Sequence, residues 1–238
     1  MAGDRLLRIL SRLIDAGTIS SAPAGLCDVS AEVLGVTGAG IILMSGDIQQ
    51  GSICSSDPVS ALIEDLQFTL GEGPSLDAYR RDYPILEPEL ASHGPARWAA
   101  FTPPAVTAGV AAVFGFPMRV GATRLGVLGL YRDRPGPLTD DQHADAMVMT
   151  GVAARSVLGM TATELEEGSN LRLVVHQASG MVSVQLDVTL GEALVRMRAA
   201  AFAENRPLDI VAADVVARRI RFQPPEDDPI YNRLGPGP

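Results

Sequence analysis

Ala112-Val-Phe-Gly-Phe-Pro-Met-Arg-Val120, Gly121-Ala-Thr123 and Arg124-Leu-Gly-Val-Leu-Gly-Leu-Tyr-Arg132 form the stretch that decides the fold. Two apolar runs of strand length are separated by three residues, a hairpin-sized connection. An earlier pair has the same form. Ala39-Gly-Ile-Ile-Leu-Met44 reads as a buried strand, Ser45-Gly46-Asp47 as a turn, and Ser52-Ile-Cys-Ser55 as its partner. Between the hairpins, Asp57-Pro58 opens a helix through about Gln67, with Asp57 at the N-cap and Pro58 at the first helical position. Residues 71–104 are rich in Gly and Pro and poorly periodic, the mark of a functional loop or of short helices over a pocket.

Helices flank this pattern. Leu6, Leu7, Leu10, Leu13 and Ile14 recur at helical spacing from about Asp4 to Ala16, and Leu26 to Leu34 reads as a second helix. Thr139-Asp-Asp-Gln142 is a capping box. Apolar positions beyond it extend helical character through Leu165, Leu171 and Val175 to Leu186, with a break near Gly168. The expectation is one antiparallel sheet with helices gathered on one face. The end helices carry apolar stripes that need a partner surface, so a homodimer is expected. The remainder is all-helical. Thr189-Leu-Gly-Glu192 caps a helix ending near Glu204, Asn205-Arg206-Pro207 breaks the chain, and Leu208 to Arg219 forms another helix. The organisation is therefore residues 1–165, 166–222 and a Pro/Gly-rich tail, 223–238.

The 238 residues contain 19 basic side chains, every one an arginine. Without lysine there is no phosphate loop ending in Gly-Lys-Ser/Thr, no Schiff base and no kinase-type ATP lysine. A net charge of −9 argues against a general nucleic-acid coat. Its distribution is uneven: residues 1–165 hold 11 arginines against 18 acids, whereas 166–222 hold 7 of each. Cys27 and Cys54 form neither a disulfide framework nor a zinc site, and Cys54 reads as buried and inert. No metal or other cofactor is expected. No stretch is long and apolar enough to span a membrane, and the expected location is cytoplasmic.

Two resemblances add to this reading. Gly71-Glu-Gly-Pro-Ser-Leu-Asp-Ala78, Arg97-Trp98-Ala-Ala-Phe101, Phe116-Pro-Met-Arg-Val120 and Leu125-Gly-Val-Leu-Gly-Leu-Tyr131 resemble, in order and spacing, the GAF domains of actinobacterial regulators. Gln177-Ala-Ser-Gly180, Glu192-Ala193, Met197-Arg198, Ala201, Asn205 and Leu208-Asp-Ile-Val-Ala212 resemble the ANTAR domain, a helical RNA-binding module of transcription antiterminators. The fold class so implied is an α+β GAF domain followed by an all-α three-helix ANTAR domain. The function so implied is a signal-responsive antiterminator. Its first domain would sense a small-molecule ligand, and its second would bind stem-loops in nascent RNA. Ser179 and Gln185 stand where the ANTAR pattern often has basic residues, and Ser75 where the GAF pattern often has Cys. The alternative is a sensor and dimerisation protein that acts through protein partners without binding RNA.

Arg198 leads the RNA-contact set implied by the resemblance. On a helical wheel Val195 and Phe202 lie beside it, away from the core stripe of Leu190, Ala193, Leu194, Met197 and Ala201. An arginine beside an exposed aromatic suits RNA loops, whose bases stack and whose phosphates pair with guanidinium. The competing reading packs Phe202 on the preceding helix. Arg196, Ser179, Asn205 and Arg206 complete the set. Gly180 reads as a small residue that allows close helix approach. In the first domain Trp98, Phe101 and Ser75 are the residues expected to line a ligand pocket, although capping the core suits the two aromatics equally. Ser75, Asp77 and His93 could be drawn as a hydrolase site, but no nucleophile elbow surrounds Ser75, and no enzymatic activity is expected.

Overall fold

β1 (Gly38–Ser45) and β2 (Ile48–Ser55) form the first hairpin, and β4 (Ala112–Val120) and β5 (Thr123–Arg132) the second. β3 (Ile85–Glu87) and β6 (Asn170–Leu171) complete a six-stranded sheet of order β3-β4-β5-β1-β2-β6. Every pairing is antiparallel. The computed structural model describes residues 2–15, 24–46, 48–161, 170–204 and 206–223. The chain divides into two compact units, Met1–Leu171 and Arg172–Pro238.

Helices cover both faces of the sheet, not one. β4 is buried at seven consecutive positions before its exposed end, so each face of the strand needs a cover. Against one face lie α1 (Ala2–Asp15), α2 (Ala24–Leu34) and α7 (Asp140–Gly159). Their Ile9, Leu26, Met149 and Ala153 pack with Ile41, Phe114, Phe116 and Leu128 of the strands. Against the other lie α3 (Pro58–Leu70), α4 (Pro74–Arg81), α5 (Leu90–Arg97) and α6 (Thr102–Thr107). Here Ile63, Leu76, Trp98 and Phe101 meet Ile42, Val113 and Val127. The aperiodic stretch 71–104 is thus three short helices and a three-residue strand, elements too brief to declare a period.

Local chemistry sets the helix ends. Asp57 accepts hydrogen bonds from the Val59 and Ser60 amides with Pro58 at N1, and Thr139 and Gln142 close their capping box. α7 stops at Gly159, and Met160 is extended. Helix does run from Leu173 to Leu186 as expected, but its expected continuation through Leu171 is corrected: the backbone of Leu171 pairs with Gly51 in the sheet. Apolar spacing alone does not distinguish a continuing helix from an edge strand. Leu165 lies outside the described residues.

Cys27 on α2 and Cys54 on β2 are joined as a disulfide, their Cα atoms 5.9 Å apart. This corrects the expectation of two unbonded cysteines. The pairing is invisible in a spacing of 27 residues, because only the sheet brings α2 against β2. Closing a loop of that size stabilises the folded unit by about 3–4 kcal/mol on chain-entropy grounds. Among the described residues no helix is long and apolar enough to cross a membrane.

α1 is fastened to α7 by charge. Arg5 bonds Asp141 and Asp145, and Arg8 also reaches the nearly buried Asp145. Burial by itself raises the Asp145 carboxyl, but the hydrogen bonds from Arg5 and Arg8 outweigh it and hold the group below the ordinary carboxylate range. A carboxyl depressed in the folded state stabilises above its unfolded value and loses that effect as pH falls through the folded one. The melting temperature of the first unit should therefore drop as pH is lowered below about 4. Asp145→Asn should start lower and show a shallower acid fall in thermal denaturation followed by circular dichroism.

The second unit is α8 (Leu173–Leu186), α9 (Leu190–Ala203) and α10 (Leu208–Val216). Thr189 and Glu192 form the expected capping box on α9. Ala178, Val182, Ala193, Met197, Ala201, Ala212 and Val215 are buried where the helices meet. The small residues let the backbones approach.

Candidate functional site

A row of glycines crosses the sheet beneath α3 and α4. Gly115 of β4 pairs with Gly129 of β5, which pairs with Gly40 of β1, which pairs with Ser55 of β2. Side chains from the covering helices occupy the room these residues leave. A Cβ on Gly40 would lie 1.8 Å from Glu64 Oε1, one on Gly129 would lie 3.3 Å from Ser75 Oγ, and one on Gly115 would lie 2.8 Å from the Pro74 carbonyl oxygen. The result is a polar trough inside an apolar layer. Ser55 donates to Glu64 Oε2 at 2.8 Å. Gln67 donates through Nε2 to Ser75 Oγ at 3.2 Å and accepts the Ser75 amide at 2.7 Å.

The trough continues to Asp57. Its carboxylate receives Tyr131 OH at 3.0 Å, Ser60 Oγ at 2.8 Å and Ser56 Oγ at 2.9 Å, besides the two cap amides. Burial raises this carboxyl, yet the Ser60, Ser56 and Tyr131 hydrogen bonds bring it below its usual range. Tyr131 is pushed well above the ordinary phenol value by burial and by the Asp57 charge. Gly40, Ser60, Glu64, Gln67, Ser75, Gly129 and Tyr131 line a cavity of about 20 Å³, room for one water-sized molecule. Among the described residues its lining contains a buried carboxylate and no basic side chain.

Ser75, expected at a pocket, does line this cavity. Trp98 and Phe101 do not: they stack edge to face at 6.1 Å in the second core. The Trp98 indole donates to Asp77 at 3.3 Å, and the Arg97 guanidinium lies 4.2 Å over its ring. Both aromatics therefore take the core-capping role. Ser75, Asp77 and His93 have separate partners, Gln67, Trp98 and Glu87, and do not form a catalytic chain. Among the described residues no three side chains of metal-binding type cluster. Sequence reasoning missed Glu64 and Gln67. Their only signal was helical spacing toward a face that could equally have been solvent.

In the second unit the expected RNA-contact residues do not share one surface. Ser179 is buried and donates to the Val175 carbonyl at 2.8 Å, because its position on α8 turns it onto Met197 of α9. Arg206 is engaged by Glu204 and Asp214. Asn205 lies outside the described residues. Arg196 and Arg198 are half-buried on α9. Phe202 is 79% exposed and Val195 60%, which excludes the packing of Phe202 on the preceding helix. Val195, Arg198 and Phe202, spaced i, i+3 and i+7, form one surface strip. Gly180 does not mediate a close approach: a Cβ there would meet nothing within 4 Å.

No family model matches the sequence, and no curated protein is similar to it. Solved structures similar to the chain include a domain of a putative two-component sensor histidine kinase from Sinorhizobium meliloti, 16% identical with a TM-score of 0.46 over 60% of this chain and 92% of that one. The GAF domain of an Acinetobacter phosphoenolpyruvate-protein phosphotransferase is 15% identical, with a TM-score of 0.47 over 66% of this chain and 93% of its own. The corresponding domain from Coxiella burnetii is 14% identical, with a TM-score of 0.48 over 64% and 94%.

The glycine row yields a graded test. Gly115→Ala places a methyl against the backbone of α4 and should destabilise the first unit by about 1–3 kcal/mol in urea unfolding. Gly129→Ala meets a side-chain oxygen at 3.3 Å and a backbone oxygen at an ordinary 3.7 Å, and should be milder. Equal effects at both positions would show that α4 does not depend on this approach.

Proposed function

We propose that the protein is a GAF-type sensor joined to an ANTAR-type RNA-binding unit, working as a signal-responsive transcription antiterminator. The observation that carries the RNA reading is the exposed pair Val195 and Phe202 on α9 flanking the half-buried Arg198, with an aromatic ring free to stack on a base beside a guanidinium. In this reading Arg196 and Arg198 meet phosphates, Phe202 meets a loop base, and the bound stem-loop cannot pair into a terminator.

The polar trough supports the sensing half. A small-molecule ligand larger than one water enters it only by displacing Gln67, Glu64 or α4 itself. Binding and movement of the helix then become one event, which lets a ligand shift an equilibrium between states. The protein acts here as a sensor and not as an enzyme.

The decisive experiment titrates a hairpin RNA pool with randomised loops over a salt series. Phe202→Ala should lose about 1–3 kcal/mol of affinity, and Arg198→Ala should weaken binding and flatten its salt dependence, both with unchanged circular dichroism. Unaltered affinity in both variants would remove this face from RNA recognition. A specific observation favours a second reading, a sensor that acts through protein partners: Ser179 is buried and Arg206 is engaged in ion pairs. Absence of RNA binding in a well-folded protein would select it.

A homodimer belongs to the same proposal. Leu7 and Ile14 on α1 are 66% and 62% exposed, and Met147 and Leu158 on α7 are also uncovered. Leu7→Glu with Ile14→Glu should reduce the mass seen in light scattering to that of one chain, 25.0 kDa. A wild-type protein already at that mass would overturn the dimer.

A further inference from the structure

The second unit carries a concave surface that the α9 strip does not include. Gln177, Gly180, Met181, Val184 and Gln185 of α8 face Arg218, Ile220 and Arg221 across a groove of about 650 Å³. The spacing i, i+3, i+4, i+7 and i+8 puts the α8 residues on one side of the helix. Val184 is 84% exposed, an unusual position for a valine. Gly180 leaves the middle of the wall open, since a side chain there would point into free space.

The opposite wall is built deliberately. α10 ends where Arg218 adopts φ 59°, a left-handed position that glycine usually takes. The chain then doubles back. The Arg219 and Ile220 amides donate to the Asp214 carbonyl, and Arg219 Nε donates to the Asp214 carboxylate at 2.7 Å. The Phe222 amide donates to Gln185 Oε1 at 2.9 Å, tying the segment to α8. That bond occupies the oxygen of Gln185 and leaves its amide nitrogen to donate elsewhere.

Charge selects the occupant. The chain is acidic overall, and in this unit Arg172, Arg206 and Arg219 are taken up by Asp209, Glu204 and Asp214. Arg218 and Arg221 stand in the groove wall, and among the described residues that line it none is acidic. An occupant must therefore combine negative charge with an apolar face and hydrogen-bonding edges. An unstacked nucleotide has all three. A duplex does not, because its base faces are stacked away.

We propose that the groove between α8 and residues 218–221 seats a single-stranded RNA segment, one base lying on Met181, Val184 and Ile220 with its flanking phosphates on Arg218 and Arg221. This rests on the RNA-binding reading of the unit and adds a second contact surface to it. Gln177 and Gln185 then meet the base edge.

The test uses the full chain with Arg218→Gly and Arg221→Gln together. Glycine suits the left-handed position, so the turn survives while the cation is lost. The probes are a fluorescein-labelled uridine oligonucleotide, the hairpin pool and the same hairpins with fully paired ends and no loop. Expected are weaker binding to the first two and a salt slope reduced by about 1.4, the loss of two single-strand phosphate contacts. The melting temperature should not fall. Val184→Glu should produce the same loss at one position. If wild type binds RNA, Arg198→Ala weakens it and the groove variants do not, the groove is overturned while the RNA reading stands. If no variant and no wild type binds, both fall together. Displacement of a labelled oligoglutamate peptide but not RNA from the groove would make its occupant an acidic protein segment and overturn the proposal.

Discussion

The first unit depends on how closely helices can approach a flat stretch of backbone. Gly115, Gly129 and Gly40 are aligned by strand register, so three neighbouring strands lack side chains at one level of the same face. Such a row would leave a channel if nothing entered it. Instead the Pro74 carbonyl and the Ser75 and Glu64 side chains descend into it. Polar groups so buried are held by partners, as Gln67 and Ser55 show, since an unpaired one would destabilise the layer. Closeness of α4, polarity of the trough and smallness of its cavity are thus consequences of a single alignment.

The opposite face follows a different logic. Its layer is apolar, and its cover is fastened by the buried Cys27–Cys54 bond for α2 and by the Arg5–Arg8–Asp145 cluster for α1 and α7. One side of the sheet is therefore closed by dense packing, while the other contains an interior with hydrogen-bonding capacity. The proposed ligand site lies on the second kind of face, where a bound molecule could exchange partners with groups already desolvated.

Arginine use separates the two units as well. In the first, Arg5, Arg12, Arg97 and Arg119 answer particular carboxylates, and Arg124 caps carbonyls of α4. In the second, ion pairs with Asp209 and Asp214 hold the framework, and Arg218 and Arg221 remain with a groove in which no described lining residue is acidic. Equal counts of acids and arginines conceal this partition, because charge counting ignores which pairs the fold brings together.

Much of the architecture was legible in the chain itself. Apolar runs bounded by turn residues determine β1, β4 and β5, since a strand buried on both faces must be apolar throughout. Capping chemistry at Asp57, Thr139 and Thr189 determines where three helices begin, because those bonds are local. Tertiary structure alone decided the rest. It paired Cys27 with Cys54, turned Leu171 from helix to strand, sent Trp98 and Phe101 into the core, and buried Ser179 while exposing Phe202 and Val184. Each of these depends on which residues distant in sequence the fold brings together or leaves uncovered, and residue type and spacing carry no information about which surface arrives opposite.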